Sequence, residues 1–341
     1  MTGVPYRLLR HQLPMLLTGA RVVGHTVLNA IAPASRPPAP GAENTAARNA
    51  TGTGAADAAA AAEMTAGDAT AAGGGDGGAR LAGGRIASAA RVIDAPAADL
   101  VAHYIAWSGA AGGYEGELPP HMVSQWSLPL VGQLLLRMPY KLTSVINQGV
   151  GLRVHGPLPR DTPLHVSAAV EQIEHTPGRI KVVVAVITGT AQQPALVEAR
   201  LHMSFLLPGP RTARAAHARP DEPQWQTAGT WHADARDGLR FALLTGDFNP
   251  IHWCGPLARR SVFRSLVLHG FGSFVRSYEI LRQQGVSFRE IDVRFVKPVP
   301  LPCPALSVQI APPGADGWRP VRLVGSGSSA GDSVHLAGNL R

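Results

Sequence analysis

Cysteine is nearly absent. Only Cys254 and Cys303 occur in 341 residues, too few for a secreted disulfide framework or a structural zinc site, and a reducing cytoplasm is the default expectation. Lysine is as scarce, at Lys141, Lys181 and Lys297, so the basic side of a balance of 31 Lys+Arg against 23 Asp+Glu is almost all arginine. Guanidinium groups suit phosphate recognition, but no basic run is interleaved with aromatics, which argues against nucleic acid. No stretch reaches the roughly 18 uninterrupted apolar residues of a spanning helix. Residues 1–42 lack any acid.

The acid-free start places Arg7, Arg10, Arg21 and Arg36 among Leu8, Leu9, Leu13, Leu16 and Leu17. Residues 1–31 thus read as an amphipathic segment of the targeting or membrane-surface type. His11, Gln12 and Pro14 interrupt its apolar run, and no small-residue cleavage site comes after it. A docking segment or a loose chain end is preferred to membrane contact. Residues 32–87 are Ala, Gly, Pro and Thr, with "AADAAAAAEM" and "AGGGDGGARLAGG" as extremes. Such a composition cannot offset its ordering entropy and is expected to be a disordered linker.

Beyond residue 87 the chain carries a weak internal repeat. "YIAWSGA" (104–110) lines up with "FALLTGD" (241–247), pairing Tyr104 with Phe241, Ser108 with Thr245 and Gly109 with Gly246. "VGLRVHGPLPRDTP" (150–163) lines up with "IDVRFVKPVPLPCP" (291–304). The offsets agree, 137 (241 − 104) and 141 (291 − 150), so two halves are expected, at 88–215 and 225–341. Each half runs from a capped turn to an apolar helix, "MVSQWSLPLVGQLLLRM" or "HGFGSFVRSYEILRQQG", and then to strands. Period-2 alternation places strands at "LHVSAAVEQIEH", "RIKVVVAVITGT" and "LVEARLHMSFLL", with a hairpin turn at 176–178. The second half repeats this in "EIDVRFVKPV", "PALSVQIAP", "WRPVRLVGSGS" and "SVHLAGNLR". A long helix succeeded by antiparallel strands is an α+β architecture with the sheet wrapped around the helix.

The chemistry concentrates in "TGDFNPIHW" (245–253), where Asp247, Asn249, Pro250 and His252 fall within six residues. His252 titrates nearest neutrality of the side chains and so fits a proton carrier. Asn249 is expected to satisfy backbone groups in the turn, and Pro250 to fix the first position of a short helix presenting His252. The Gly and Glu that a calcium loop needs at later positions are missing. Cys254 has no partners for a triad and reads as a core cysteine. A buried structural Asp/His pair is the competing reading of Asp247 and His252.

The whole stretch "FALLTGDFNPIHWCGPLARRSVFRSLVLHGFGSF" (241–274) resembles the signature of the MaoC-like, or hydratase 2, family of hot-dog proteins, at Phe241, Ala242, Thr245, Gly246, Asp247, Asn249, Pro250, His252, His269 and Gly270. "VRFVKPVP" (293–300) resembles the strand after that family's central helix, while Trp253 and Cys254 depart from its pattern. The first half has Ala110 in place of the acid and "AGGYEGELPPHM" in place of the Asn-Pro-x-His segment. The resemblance therefore implies a double hot-dog whose first half is catalytically silent and leaves room for a bulky acyl chain.

The activity implied is reversible hydration of trans-2-enoyl thioesters to (R)-3-hydroxyacyl thioesters, with Asp247 and His252 handling one water. The N–H of Gly270, at the start of the central helix, would face the thioester oxygen, its missing side chain letting the substrate approach. His269 would support the loop or cap that helix. Coenzyme A or acyl carrier protein would be part of the substrate; no metal or separate cofactor is implied. Arg259, Arg260 and Arg264, on one helix past His252, are candidate contacts to that carrier, with solvated helix charges as the plainer reading. A homodimer is compatible with the pattern. A non-catalytic acyl-thioester scaffold and a hot-dog thioesterase stand as alternatives.

Overall fold

Alternating burial builds the first-half hairpin. In β5 (Leu164–Thr176) Leu164, Val166, Ala168 and Val170 enter the core, and in β6 (Arg179–Gly189) Ile180, Val182, Val184 and Val186 do the same. Thr176 pairs with Arg179 across Pro177 and Gly178, and Gly178 takes φ +75°, which a side chain would resist. The computed structural model describes residues 3–13, 15, 88–110, 112–140, 142–207, 223–325 and 333–341. These fall within one compact unit. The expected linker, 32–87, lies outside the described residues.

The remaining strands are β1 (Ser88–Ile93), β2 (Glu117–Leu118), β3 (Val145–Val154), β4 (Leu158–Pro159), β7 (Val197–Leu206), β8 (Gln226–Ala233), β9 (Glu290–Phe295), β10 (Cys303–Ile310), β11 (Arg319–Gly325) and β12 (Ser333–Leu340). The helices are α1 (Ala98–Ser108), α2 (Val123–Leu135), α3 (Asp237–Thr245), α4 (Gly255–Arg260) and α5 (Gly270–Gln283). Ten strands form one sheet in the order β1-β5-β6-β7-β3-β9-β12-β11-β10-β8, while β2 and β4 pair separately. From the middle outward, β3-β7-β6-β5-β1 and β9-β12-β11-β10-β8 have the same connectivity. The order thus makes the repeat structural: each half contributes five strands, and the seam is the antiparallel pairing of β3 with β9 from Gly149↔Arg294 to Arg153↔Glu290. Arg153 also reaches the Glu290 carboxylate at 2.8 Å across that seam.

The helices repeat as well. α1 and α3 both end in a left-handed glycine, Gly109 (φ 89°) and Gly246 (φ 81°), whose N–H groups cap Ile105 and Ala242 carbonyls. Each leads through a loop to the apolar helix its sheet wraps, α2 or α5. Trp126, Leu130 and Leu134 of α2 and Phe274, Val275, Tyr278 and Leu281 of α5 are buried in the continuous core. Trp107 on α1 meets Phe241 on α3 at 4.7 Å between ring centroids, so the two halves also share a core contact away from the sheet seam.

The start of the chain docks rather than standing free. Residues Tyr6–Gln12 form a 3₁₀ helix. Leu8 is fully buried, Arg10 and His11 both reach Asp99 on α1, at 2.8 and 2.9 Å, and Gln12 Nε2 donates to the Leu243 carbonyl at 2.8 Å. That last bond satisfies an orphan carbonyl in the final turn of α3. No helix among the described residues is long and apolar enough to cross a membrane.

Candidate functional site

α3 ends at Gly246 because the next residues form a turn that closes on itself. Thr245 Oγ1 donates to the Phe241 carbonyl at 2.9 Å, and Asp247 Oδ1 accepts from the Asn249 N–H at 3.3 Å, an Asx turn. Asn249 Oδ1 accepts from the Ile251 N–H, capping a 3₁₀ turn over Pro250–His252 with proline at its first position. Trp253 Nε1 ties the segment back to the Phe248 carbonyl at 3.0 Å. Gly238, on the first turn of α3, lies so close to the His252 carbonyl that a Cβ there would overlap it.

These contacts bring Asp247, His252 and His269 together, with one ligand atom from each within 4.8 Å of the others. His252 and His269 are stacked, their centroids 3.6 Å apart and their planes at 23°. His252 Nδ1 lies 2.8 Å from the Val267 carbonyl, which can only accept, so Nδ1 carries the hydrogen and Nε2 is left bare. By the same argument His269 Nε2, at 2.9 Å from the Asp247 carbonyl, is the protonated nitrogen of that ring. Its Nδ1 is buried with no hydrogen-bond partner among the described residues. The Asp247 side chain is 44% exposed, with Oδ2 at 3.9 Å from His269 Nε2.

Burial pushes the His252 pKa below the ordinary histidine value, although the Asp247 charge and the bond to Val267 pull it upward. His269 is pushed down to about 3 by complete burial and by the neighbouring His252, against the pull of Asp247. Both imidazoles are therefore neutral near pH 7. The cluster offers a bare nitrogen and a carboxylate on side chains whose ligand atoms gather within 4.8 Å. The same three side chains are the donor set that a cation would use.

Gly270 comes directly after His269 and opens α5, whose first-turn N–H groups have no partner inside the helix. Its N–H is thus one residue from the ring that stacks on His252. A Cβ there would lie 2.5–2.8 Å from the Phe295 ring, so packing against β9 by itself forbids a side chain. The arginines do not share the one helix expected of them. Arg259 and Arg260 occupy the exposed last turn of α4, but α4 stops at Arg260, and Arg264 sits beyond it in a bend with φ 56°. The three do not share a helix face, because Ser261 leaves the helical conformation (ψ 171°). Cys254 is half-buried and Cys303 is the buried cysteine.

The first half holds a polar cluster that sequence reasoning passed over. Ala110 is buried where the second half has its acid. His121, just before α2, is fully buried, and its Nε2 lies 2.6 Å from Glu279 on α5. Tyr114 donates to the same Glu279 oxygen at 2.5 Å, and Tyr104 donates to the His121 carbonyl at 2.9 Å. Burial pushes Glu279 up, but its bonds to His121 and Tyr114 and the charge of Arg282 bring it below the ordinary carboxylate value; burial lowers His121. An ionised Glu279 accepting from a neutral His121 fits both directions. His121 precedes its helix as His269 does, and Tyr104 stacks on His121 at 5.6 Å much as Phe241 packs on His269 at 5.1 Å. That parallel was the available signal. The second-half helix thus places its own glutamate against His121 of the first half.

Comparison with known proteins agrees with the fold. Residues 214–310 match the model of the family described as MaoC like domain. No curated protein matches the sequence. Among solved structures, HtdX of Mycobacterium tuberculosis superposes with a TM-score of 0.60 at 19% identity, covering 75% of this chain and 99% of that one. A MaoC-like dehydratase from Phytophthora capsici gives 0.60 at 16% identity, over 75% and 95%. A further Mycobacterium tuberculosis protein, described as having a double hotdog fold, gives 0.51 at 14% identity, over 76% and 96%.

Proposed function

From a double hot-dog fold whose second half carries a MaoC-like dehydratase domain, we propose that this chain hydrates trans-2-enoyl thioesters to (R)-3-hydroxyacyl thioesters, or runs the reverse dehydration, with coenzyme A or acyl carrier protein as the thioester carrier. The observation that carries the reading is the gathering of Asp247, His252 and His269, with His252 Nε2 left bare, beside the first N–H groups of α5.

In the hydration direction a water held between Asp247 and His252 loses a proton to His252 Nε2 as its oxygen bonds to C3 of the enoyl group. The electron pair of the double bond moves through C2 to the thioester oxygen. There the Gly270 N–H and the positive end of α5 stabilise the enolate charge. The proton held by the pair then goes to C2, the thioester carbonyl re-forms, and one water has been added. Asn249 keeps the turn closed, so that the acid and base hold their separation. The first half has Ala110 where the acid would stand and a closed Glu279–His121 cluster, which supports one reaction centre per chain.

Crotonyl-CoA hydration, monitored as loss of the enoyl absorbance, tests this. The parent should turn over, and Asp247→Ala and His252→Ala should each lose about 10²–10⁴-fold in rate. A thioesterase would release free thiol, and a scaffold would bind without turnover. Absence of hydration on short- and long-chain enoyl thioesters of both carriers would overturn the proposal.

A further inference from the structure

A cleft lies away from the triad. It encloses about 410 Å³, and its lining includes Pro5 before the N-terminal 3₁₀ helix, His103 and Trp107 on α1, Trp231 on β8, Leu244 on α3 and Arg276 on α5. None of Asp247, His252 and His269 borders it. Its volume is within the usual range for a small-molecule site, roughly 300–1,000 Å³.

The cleft holds a cation whose acceptors are not supplied by the described residues. The Arg276 guanidinium carbon sits 4.8 Å from the Trp107 ring and 5.7 Å from the Trp231 ring. Among the described residues its buried Nε has no hydrogen-bond acceptor, and neither has the buried indole N–H of Trp231. The acids on the same wall are already engaged. Arg240 Nη1 binds Asp237 at 2.9 Å and Asp234 at 3.0 Å, Trp107 Nε1 donates to Asp237 Oδ1, and the other Asp237 oxygen accepts from the Asp234 N–H. Burial lowers the Arg276 pKa without neutralising a guanidinium. Indole faces attract the cation, but they accept none of its hydrogens in the plane of the fork. A desolvated donor with no acceptor is costly, which makes the cleft complementary to a ligand that supplies one.

We propose that this cleft is a binding site for a small organic carboxylate, its carboxylate paired with Arg276 and its flat apolar body set against Trp107, Trp231 and Leu244. A planar guanidinium matches a planar carboxylate with two parallel bonds. The unmet need is for a hydrogen-bond acceptor rather than for much negative charge, and the carboxylates of Asp234 and Asp237 on the same wall favour a monoanion over a phosphate dianion. The assignment stands apart from the proposed hydration, because the cleft does not include the triad.

Calorimetric titration of the full chain with benzoate, phenyl phosphate and benzamide decides it. Benzoate should bind saturably in the millimolar range or better, phenyl phosphate more weakly, and neutral benzamide not measurably. Arg276→Met should weaken benzoate by about tenfold or more, as expected for a lost charge-assisted bond, while Arg276→Lys keeps part of it. Circular dichroism establishes that each variant is folded; where Arg276→Met is not, the benzoate and benzamide comparison on the parent still decides. The proposal fails if benzoate shows no saturable binding, if benzamide equals it, if folded Arg276→Met binds it as tightly as the parent, or if phenyl phosphate binds more tightly.

Discussion

Acidification should destabilise this protein through His269, and the amount can be worked out. The ring is fully buried, with a pKa of about 3 in the folded chain, against an unperturbed value of about 6.5 once unfolded. On acidification the unfolded chain binds a proton that the folded chain refuses. Stability that is fully present above pH 6.5 is therefore lost progressively as the pH falls towards 3. Between pH 8 and pH 5 the loss is 2.303RT log[(1 + 10^1.5)/(1 + 10^−2)], roughly 2 kcal/mol. Other buried histidines, among them His121 and His335, add losses of the same sign, so the difference between two proteins is the quantity to measure. His269→Gln removes the titration and keeps a side-chain N–H for the Asp247 carbonyl. Urea unfolding at pH 8, 7, 6 and 5 should show the parent losing roughly 2 kcal/mol more than the variant over that span. With a urea m-value of about 3 kcal/mol/M, this is about 0.7 M in midpoint. Parallel stability-versus-pH curves for the two proteins would refute the argument, because they would mean that His269 is free to protonate in the folded state.

Gly270→Ala places a methyl against the Phe295 ring and should cost about 1–3 kcal/mol; Phe295→Ala in the same chain should recover part of that increment in a double-mutant cycle of thermal unfolding. Asp247→Asn removes the charge that raises the His252 pKa, so the acid limb of its residual kcat/KM profile should move to lower pH than the parent's, and an upward shift would contradict the assignment of His252 as base. Glu279→Ala strands the buried hydrogens of His121 and Tyr114 and should destabilise by about 2–3 kcal/mol. A change of under about 0.5 kcal/mol in urea unfolding would show that the cluster is not held as described.

The parts of this fold that could be read from the sequence are those whose causes are local. Period-2 burial in 164–176 and 179–189, with Gly178 between them, needs no tertiary information. The repeat of Ser108-Gly109 in Thr245-Gly246 records one local event, a helix ending on a left-handed glycine. From that repeat came the division into two halves, and from a long helix succeeded by alternating strands the α+β class. The strands without clean alternation were passed over: β1 is exposed along much of its length and β8 is exposed at several positions, because each lies at an edge of the sheet. At the site, the turn chemistry of Asp247, Asn249 and Pro250 was also local and could be read in advance. The tautomer of His252 could not, since it is fixed by a carbonyl fifteen residues away, nor could the crowding of position 270 by a ring on β9. Arg264 was misplaced for the opposite reason: charge spacing suggested a continuing helix, and nothing in "RRSVFR" shows that Ser261 turns out of it. The Glu279–His121 pair spans 158 residues. A lone histidine before an apolar helix in a half that has lost its acid looks vestigial until α5 is placed beside it. Pseudo-symmetry then explains both histidines at once. Each stands at the entrance to its own central helix against an aromatic ring; one is left neutral beside a carboxylate open to solvent, and the other is closed off by a glutamate from the opposite half.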